Sequence, residues 1–234
     1  MKTKDALILG ICIIIAFAIF GAFFYQARAQ TDTITVVGSA SKEFTSDLVK
    51  WHIQISRELY IENPIETYRQ IKEDANALLE ILKANGISEK DISLQPIVKE
   101  PIYDPMGGTR RYQLILRGFV VSSDISKVEA LALNPDALFE KGIFLDDSRL
   151  EYFYTKLSEL KHELLAQATQ DARRRAEEIA KGSGATINKI VSARAGVFQI
   201  TEPYSTEVSD YGVYSTATKE KNITVTVRAT FLLK

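Results

Sequence analysis

The sequence predicts an α+β protein: an N-terminal membrane-spanning helix, then one exported domain in which helices pack on antiparallel sheet. Three patterns carry that reading. Residues 6–27 form an uncharged run rich in Leu, Ile and Phe. Apolar residues alternate with polar ones over residues 49–55 and 223–233, the period of a half-buried strand. Others recur at spacings of three and four over residues 65–82 and 164–180, the period of an amphipathic helix. Strand and helix patterns interleave without the regular units of a doubly wound fold, which leaves α+β as the class.

As a helix, the apolar run measures roughly 33 Å, enough to cross a hydrocarbon core of about 30 Å. Lys2 and Lys4 precede it, so the positive-inside bias keeps the N-terminus in the cytoplasm and places residues after Arg28 outside. Residues 1–29 are expected to be a retained single-pass anchor in the inner membrane, in contact with lipid, with residues 30–234 in the periplasm. Ala27-Arg28-Ala29 before Gln30 also fits a signal-peptidase site, which makes a cleaved periplasmic form the alternative. Cys12 lies within the run and, as the one cysteine, allows no disulfide inside the chain.

Beyond the anchor, a short strand is expected at residues 33–37 and a longer one at 49–55, where Val49, Trp51, Ile53 and Ile55 alternate with Lys50, His52 and Gln54. Asn63 and Pro64 open a helix that Gly86 closes, with Ile65, Tyr68, Ile71, Ala75, Leu78 and Leu82 as its apolar face. Residues 92–102 and 110–122 read as two strands of a hairpin, the first made irregular or peripheral by Pro96 and Pro101. A shorter helix after Ser123 or Asp124 breaks at Asn134-Pro135 and ends at Gly142, and residues 145–154 hold a further strand. The longest exported helix spans residues 156–181. Its stripe of Leu164, Ala168, Ala172, Ala176 and Ala180 is small enough to let another element approach closely. A strand at 189–195 leads into a polar segment, residues 199–221, before the closing strand, which is expected at a sheet edge open to a neighbouring copy.

Composition and motifs exclude more than they assign. Charged residues make up 25% of the chain and cancel to a formal net charge of −1, which argues against nucleic-acid binding. The densest basic run, Arg173-Arg174-Arg175, is expected to pair along a helix as Arg173 with Glu177 and Arg174 with Glu178. No catalytic, cofactor-binding or metal-binding residue is assigned. His162-Glu163-Leu164-Leu165-Ala166 carries Ala166 where a zinc-protease motif needs its second histidine, and His52 lies on the polar side of a strand. Lys181-Gly182-Ser183-Gly184 follows a helix, whereas a phosphate cradle opens one. The adjacent carboxylates Asp146-Asp147 and Glu177-Glu178 point in different directions. Gly107, Gly108, Arg110 and Arg111 read as a solvated hairpin tip ahead of an anion site. The protein is therefore expected not to be an enzyme and to need no cofactor.

Several stretches together resemble the SIMPL domain family, bacterial envelope proteins described as periplasmic antigens or oxidative-stress-defence proteins. They are Ile34-Thr35-Val36-Val37-Gly38, then Gly86-Ile87-Ser88-Glu89-Lys90-Asp91-Ile92, Pro101-Ile102-Tyr103-Asp104, residues 168–180 and the closing strand. Ser46 stands where the family usually has proline before Asp47. The resemblance implies one α+β domain in the cell envelope, no catalytic residues and assembly into rings. The leading reading is a membrane-anchored, non-catalytic envelope protein that forms a ring-like homo-oligomer, with a stress-protective or scaffolding role. A second is a periplasmic module binding a peptide, glycan or lipid, with residues 199–221 as a lid. An unrecognised hydrolase is the third.

Overall fold

The computed structural model describes residues 3–28, 32–59, 62–102 and 111–234, with side chains from residue 10 to residue 25 in the first stretch. The chain runs α1 (Thr3–Arg28), β1 (Thr33–Thr45), β2 (Leu48–Leu59), α2 (Pro64–Ala84), β3 (Ile92–Leu94), β4 (Val98–Ile102) and β5 (Arg111–Ser122). There follow α3 (Ile125–Leu133), α4 (Asp136–Phe139), β6 (Asp147–Phe153), α5 (Leu157–Gly182), β7 (Ile187–Ala195), β8 (Gln199–Thr201), β9 (Val213–Tyr214) and β10 (Glu220–Leu233). Helices and antiparallel sheets make this the α+β class. The expected anchor falls on one continuous helix, α1, of 26 residues. Among the described residues no helix is long and apolar enough to cross a membrane.

The chain divides into two compact units. The larger, Ala40–Ala166 with Val197–Val225, is built on a sheet of order β3-β5-β2-β6, with β4 also paired to β5. Alternation along β2 does what the sequence predicts: Val49, Trp51, Ile53 and Ile55 are buried, against Leu78 and Leu82 of α2, Val128 of α3 and Leu138 of α4. The Trp51 indole N–H is satisfied by Ser148 Oγ at 2.9 Å. Gly86, at φ +80°, turns the chain out of α2 in a conformation that favours glycine. The expected first hairpin strand is instead two, β3 and β4, separated around Pro96, and the connection at residues 103–110 lies outside the described residues. The first turn of α2 also departs from expectation. Ile65 is 82% exposed and Tyr68 48%, while Thr67 and Asp74 are buried, because Asp74 meets Arg57 of β2 in a bidentate ion pair of 2.7 and 2.9 Å. Ser46 donates its backbone N–H to the Lys219 carbonyl at 2.9 Å, a bond that proline could not make.

The smaller unit is Met1–Ser39, Gln167–Gly196 and Thr226–Lys234. Here β10 runs between β1 and β7, and α5 covers one face. Val36, Val227, Ala229 and Phe231 are buried on that face along with Ala168, Ala172, Ala176 and Ala180. The expected close approach is made by Gly38: a Cβ there would run into the backbone N of Ala172 and the carbonyl of Ala168, with Ala172 Cα at 2.7 Å. Asp171 fastens the same contact, accepting from Ser39 N–H at 2.9 Å and from Arg174 and Arg175 at 2.7 Å each. Arg174 thus pairs with Asp171 and not with Glu178, whereas Arg173 meets Glu177 at 2.9 Å as expected. Ala172→Leu should lower stability by about 1 to 3 kcal/mol through overpacking, read as a shift in denaturant midpoint.

The closing strand is not the edge that the sequence suggested. β10 has β1 on one side and β7 and β8 on the other, so its regular alternation reflects one buried face within an interior strand. The open edge belongs to β7, which has β10 as its neighbour among the described residues and is exposed at eight of its nine positions.

Candidate functional site

Helices α2, α3 and α4 cover one face of the β3-β5-β2-β6 sheet, with Lys50, His52 and Gln54 half-buried on the other. Antiparallel register sets three rows across it: Lys50 beside Val121 and Glu151, His52 beside Phe119 and Arg149, and Gln54 beside Arg117 and Asp147. Between these rows lies a groove of about 260 Å³, lined by Lys50, His52, Gln54, Arg117, Phe119 and Arg149 among others.

Most charges in the groove are matched. His52 Nε2 is 2.9 Å from Glu151 Oε2, and Arg117 donates to Gln54 Oε1 at 2.9 Å and to Glu100 Oε1 at 3.0 Å. Lys50 Nζ sits 4.6 Å from the centre of the Phe119 ring, within cation–π range, and Arg149 lies 4.0 Å from Glu151. The groove offers hydrogen-bond donors and acceptors beside one aromatic ring, the equipment to hold a small polar ligand. Its lining contains no serine, threonine or cysteine. Among the described residues no three metal-ligating side chains converge.

A family model matches residues 34–231, that of SIMPL, a protein of unknown function (DUF541). The chain belongs to the SIMPL family. Among curated proteins none matches it.

The residues that sequence reasoning weighed in this SIMPL chain are not gathered into one place. His52 and Asp147 border the groove, while His162 and Glu178 are exposed on α5. Arg111 pairs with Glu58 at 3.1 Å, and Gly107, Gly108 and Arg110 lie outside the described residues. The polar segment that suggested a lid is pinned at several points. Ser215 N–H donates to Ile200 O at 2.9 Å, Tyr152 N–H to Thr216 O at 2.8 Å, and the Gln199 side chain to Ser209 O at 2.7 Å. Lys221 is 1% exposed and donates from Nζ to Ser215 O at 2.7 Å. A segment tied down in this way is a poor lid.

Burial pushes the Lys221 pKa below the ordinary lysine value, with Glu202 pulling the other way. The folded value lies below the unfolded one, so between them the unfolded chain binds the extra proton. Stability therefore rises as pH climbs through that window toward about 10.4. Lys221→Met should remove the rise, seen by comparing denaturant midpoints at about pH 8 and about pH 10. Tyr152 is pushed up to about 12 by burial and its bond to Glu129, so its contribution to stability is lost as pH rises from about 10 through about 12.

Proposed function

We propose that this SIMPL-family chain is a membrane-anchored, non-catalytic protein of the bacterial envelope that closes into a ring-like homo-oligomer with a stress-protective or scaffolding role. The apolar run at residues 6–27 and the lysines before it support a single-pass inner-membrane anchor with the remainder in the periplasm. The observation that carries assembly is β7. It is a nine-residue strand with an exposed outer edge and with Ile190 and Val191 42% and 49% exposed, an aggregation liability unless a partner strand covers it. On the opposite side of the same three strands, β1 presents the other edge. Pairing of β7 on one copy with β1 on the next is a head-to-tail contact, and such contacts between identical subunits close into rings when the rotation allows.

Paired edges should bring Val191 of one copy near the start of β1 on another. In a Cys12→Ser background, the double variant Thr33→Cys/Val191→Cys should give a ladder of covalent multimers with a short bismaleimide, while each single variant stops at dimers. Monomers alone from the double variant would contradict the pairing. The intact mass of protein taken from membranes tests the anchor separately: residues 1–29 should be present, and an N-terminus at Gln30 would mean the cleaved form. The groove on the face of the larger sheet opposite its helices supports a second reading, a module that holds a small polar ligand such as a glycan or peptide.

A further inference from the structure

A second concavity, of about 210 Å³, opens on the face of the smaller unit's sheet turned away from α5. Val37 of β1, Thr226 and Arg228 of β10, and Arg194 of β7 line it with Ala195 and Gly196. Arg228 stands directly opposite Arg194 in the β7–β10 register. Gly196 N–H donates to Thr226 O at 2.8 Å, which makes Arg228 and Arg194 the next hydrogen-bonded pair along the ladder, with Cα atoms about 5.5 Å apart. Directly opposed residues project to one face of a sheet, so both guanidiniums lie on the side of the cavity.

Like charges in that position repel, and arginine cannot relieve the repulsion by losing its proton. Every other arginine whose side chain is described has a carboxylate within 4.0 Å. Arg194 and Arg228 have neither an ion pair nor a side-chain hydrogen bond among the described residues. Two unmatched guanidinium forks side by side, with the Thr226 hydroxyl beside them, are the donor set for a tetrahedral oxyanion, which can accept from both forks at once. We propose that Arg194 and Arg228 together bind a phosphate group, and that this phosphate belongs to the headgroup of an anionic lipid. The choice of source rests on the anchor reading above. Val37 follows the end of α1 by nine residues, so the cavity lies within about 30 Å of chain from the point where that helix would leave the membrane.

The test follows the rate at which phenylglyoxal modifies each arginine of the full chain, resolved by peptide mass. It compares a phosphate-free maltoside micelle, the same micelle with inorganic phosphate or with short-chain phosphatidylglycerol, and phosphatidylglycerol nanodiscs. Arg194 and Arg228 should react about fivefold more slowly with either lipid, as expected at about four times the dissociation constant, and Arg149 should be unaffected. Arg228→Gln, which removes the repulsion and should fold at least as stably, should abolish protection of Arg194. Equal rates in every arm overturn the site, and protection by inorganic phosphate but not by lipid overturns the headgroup assignment. Failure of the chain to enter nanodiscs overturns the anchor instead, and the short-chain lipid in micelles still decides the site.

Discussion

Gly38→Val should cost about 3 kcal/mol or more, the upper end of overpacking penalties, and prevent folding if the margin of stability is small. The reason is backbone against backbone. Gly38 sits on the buried face of β1 where α5 comes closest, and the atoms a new side chain would meet are the amide of Ala172 and the carbonyl of Ala168. A flexible side chain could swing away, but helix backbone cannot. The two alanines are fully buried, so no slack remains for α5 to retreat without opening the contacts of Ala176 and Ala180 as well. Denaturant midpoints of full-length protein in detergent check this. A midpoint equal to the wild type would mean that β1 does not approach α5 at this residue.

Arg57→Met should be the second most damaging change, at about 3 kcal/mol, the low end of the cost of breaking a buried ion pair because Arg57 is itself partly exposed. Asp74 has only 9% of its side chain exposed and both its carboxylate oxygens are held by Arg57, at 2.7 and 2.9 Å. Removing the guanidinium strands that carboxylate between α2 and β2, with only a small opening to water. Arg57 also donates to the Gly142 carbonyl at 3.3 Å, so the loop after α4 loses a contact as well. The double variant Arg57→Met/Asp74→Leu should recover most of the loss, since the penalty comes from the unpaired charge. If the single and double variants are equally unstable, the pair is not what ties α2 to the sheet.

Periodicity reported which faces are buried, and little about lateral neighbours. Val49 to Ile55 and Ile223 to Phe231 alternate because each strand buries one side, and both strands were legible for that reason. The same alternation could not say that β10 has strands on both flanks, because that depends on partners at distant positions in the chain. β1 was expected to end at Val37, yet it continues to Thr45. Ser39, Ser41, Lys42 and Glu43 leave no apolar signal there, and the extended backbone is held by pairing with β10 and by polar contacts such as Ser41 Oγ to Asn222 Oδ1 and Lys42 to Glu163. The apolar face of α2 was read one turn too far because Ile65 looks like a core residue, while the buried polar Asp74 is explained only by Arg57 across the element boundary. The alanine stripe of α5 announced a close contact, and Gly38 supplies its partner. The two candidate ligand sites were hidden for a common reason. Both are assembled by strand register, which sets His52 between Phe119 and Arg149 and Arg194 against Arg228.

The central claim is that this SIMPL-family chain works as a closed assembly held through the edges of β1 and β7. Light scattering coupled to size exclusion, on full-length protein in detergent and corrected for the bound micelle, tests it most directly. The account predicts one species whose protein mass is a whole-number multiple of the chain mass and holds steady on dilution. A monodisperse monomer at micromolar concentration would contradict it.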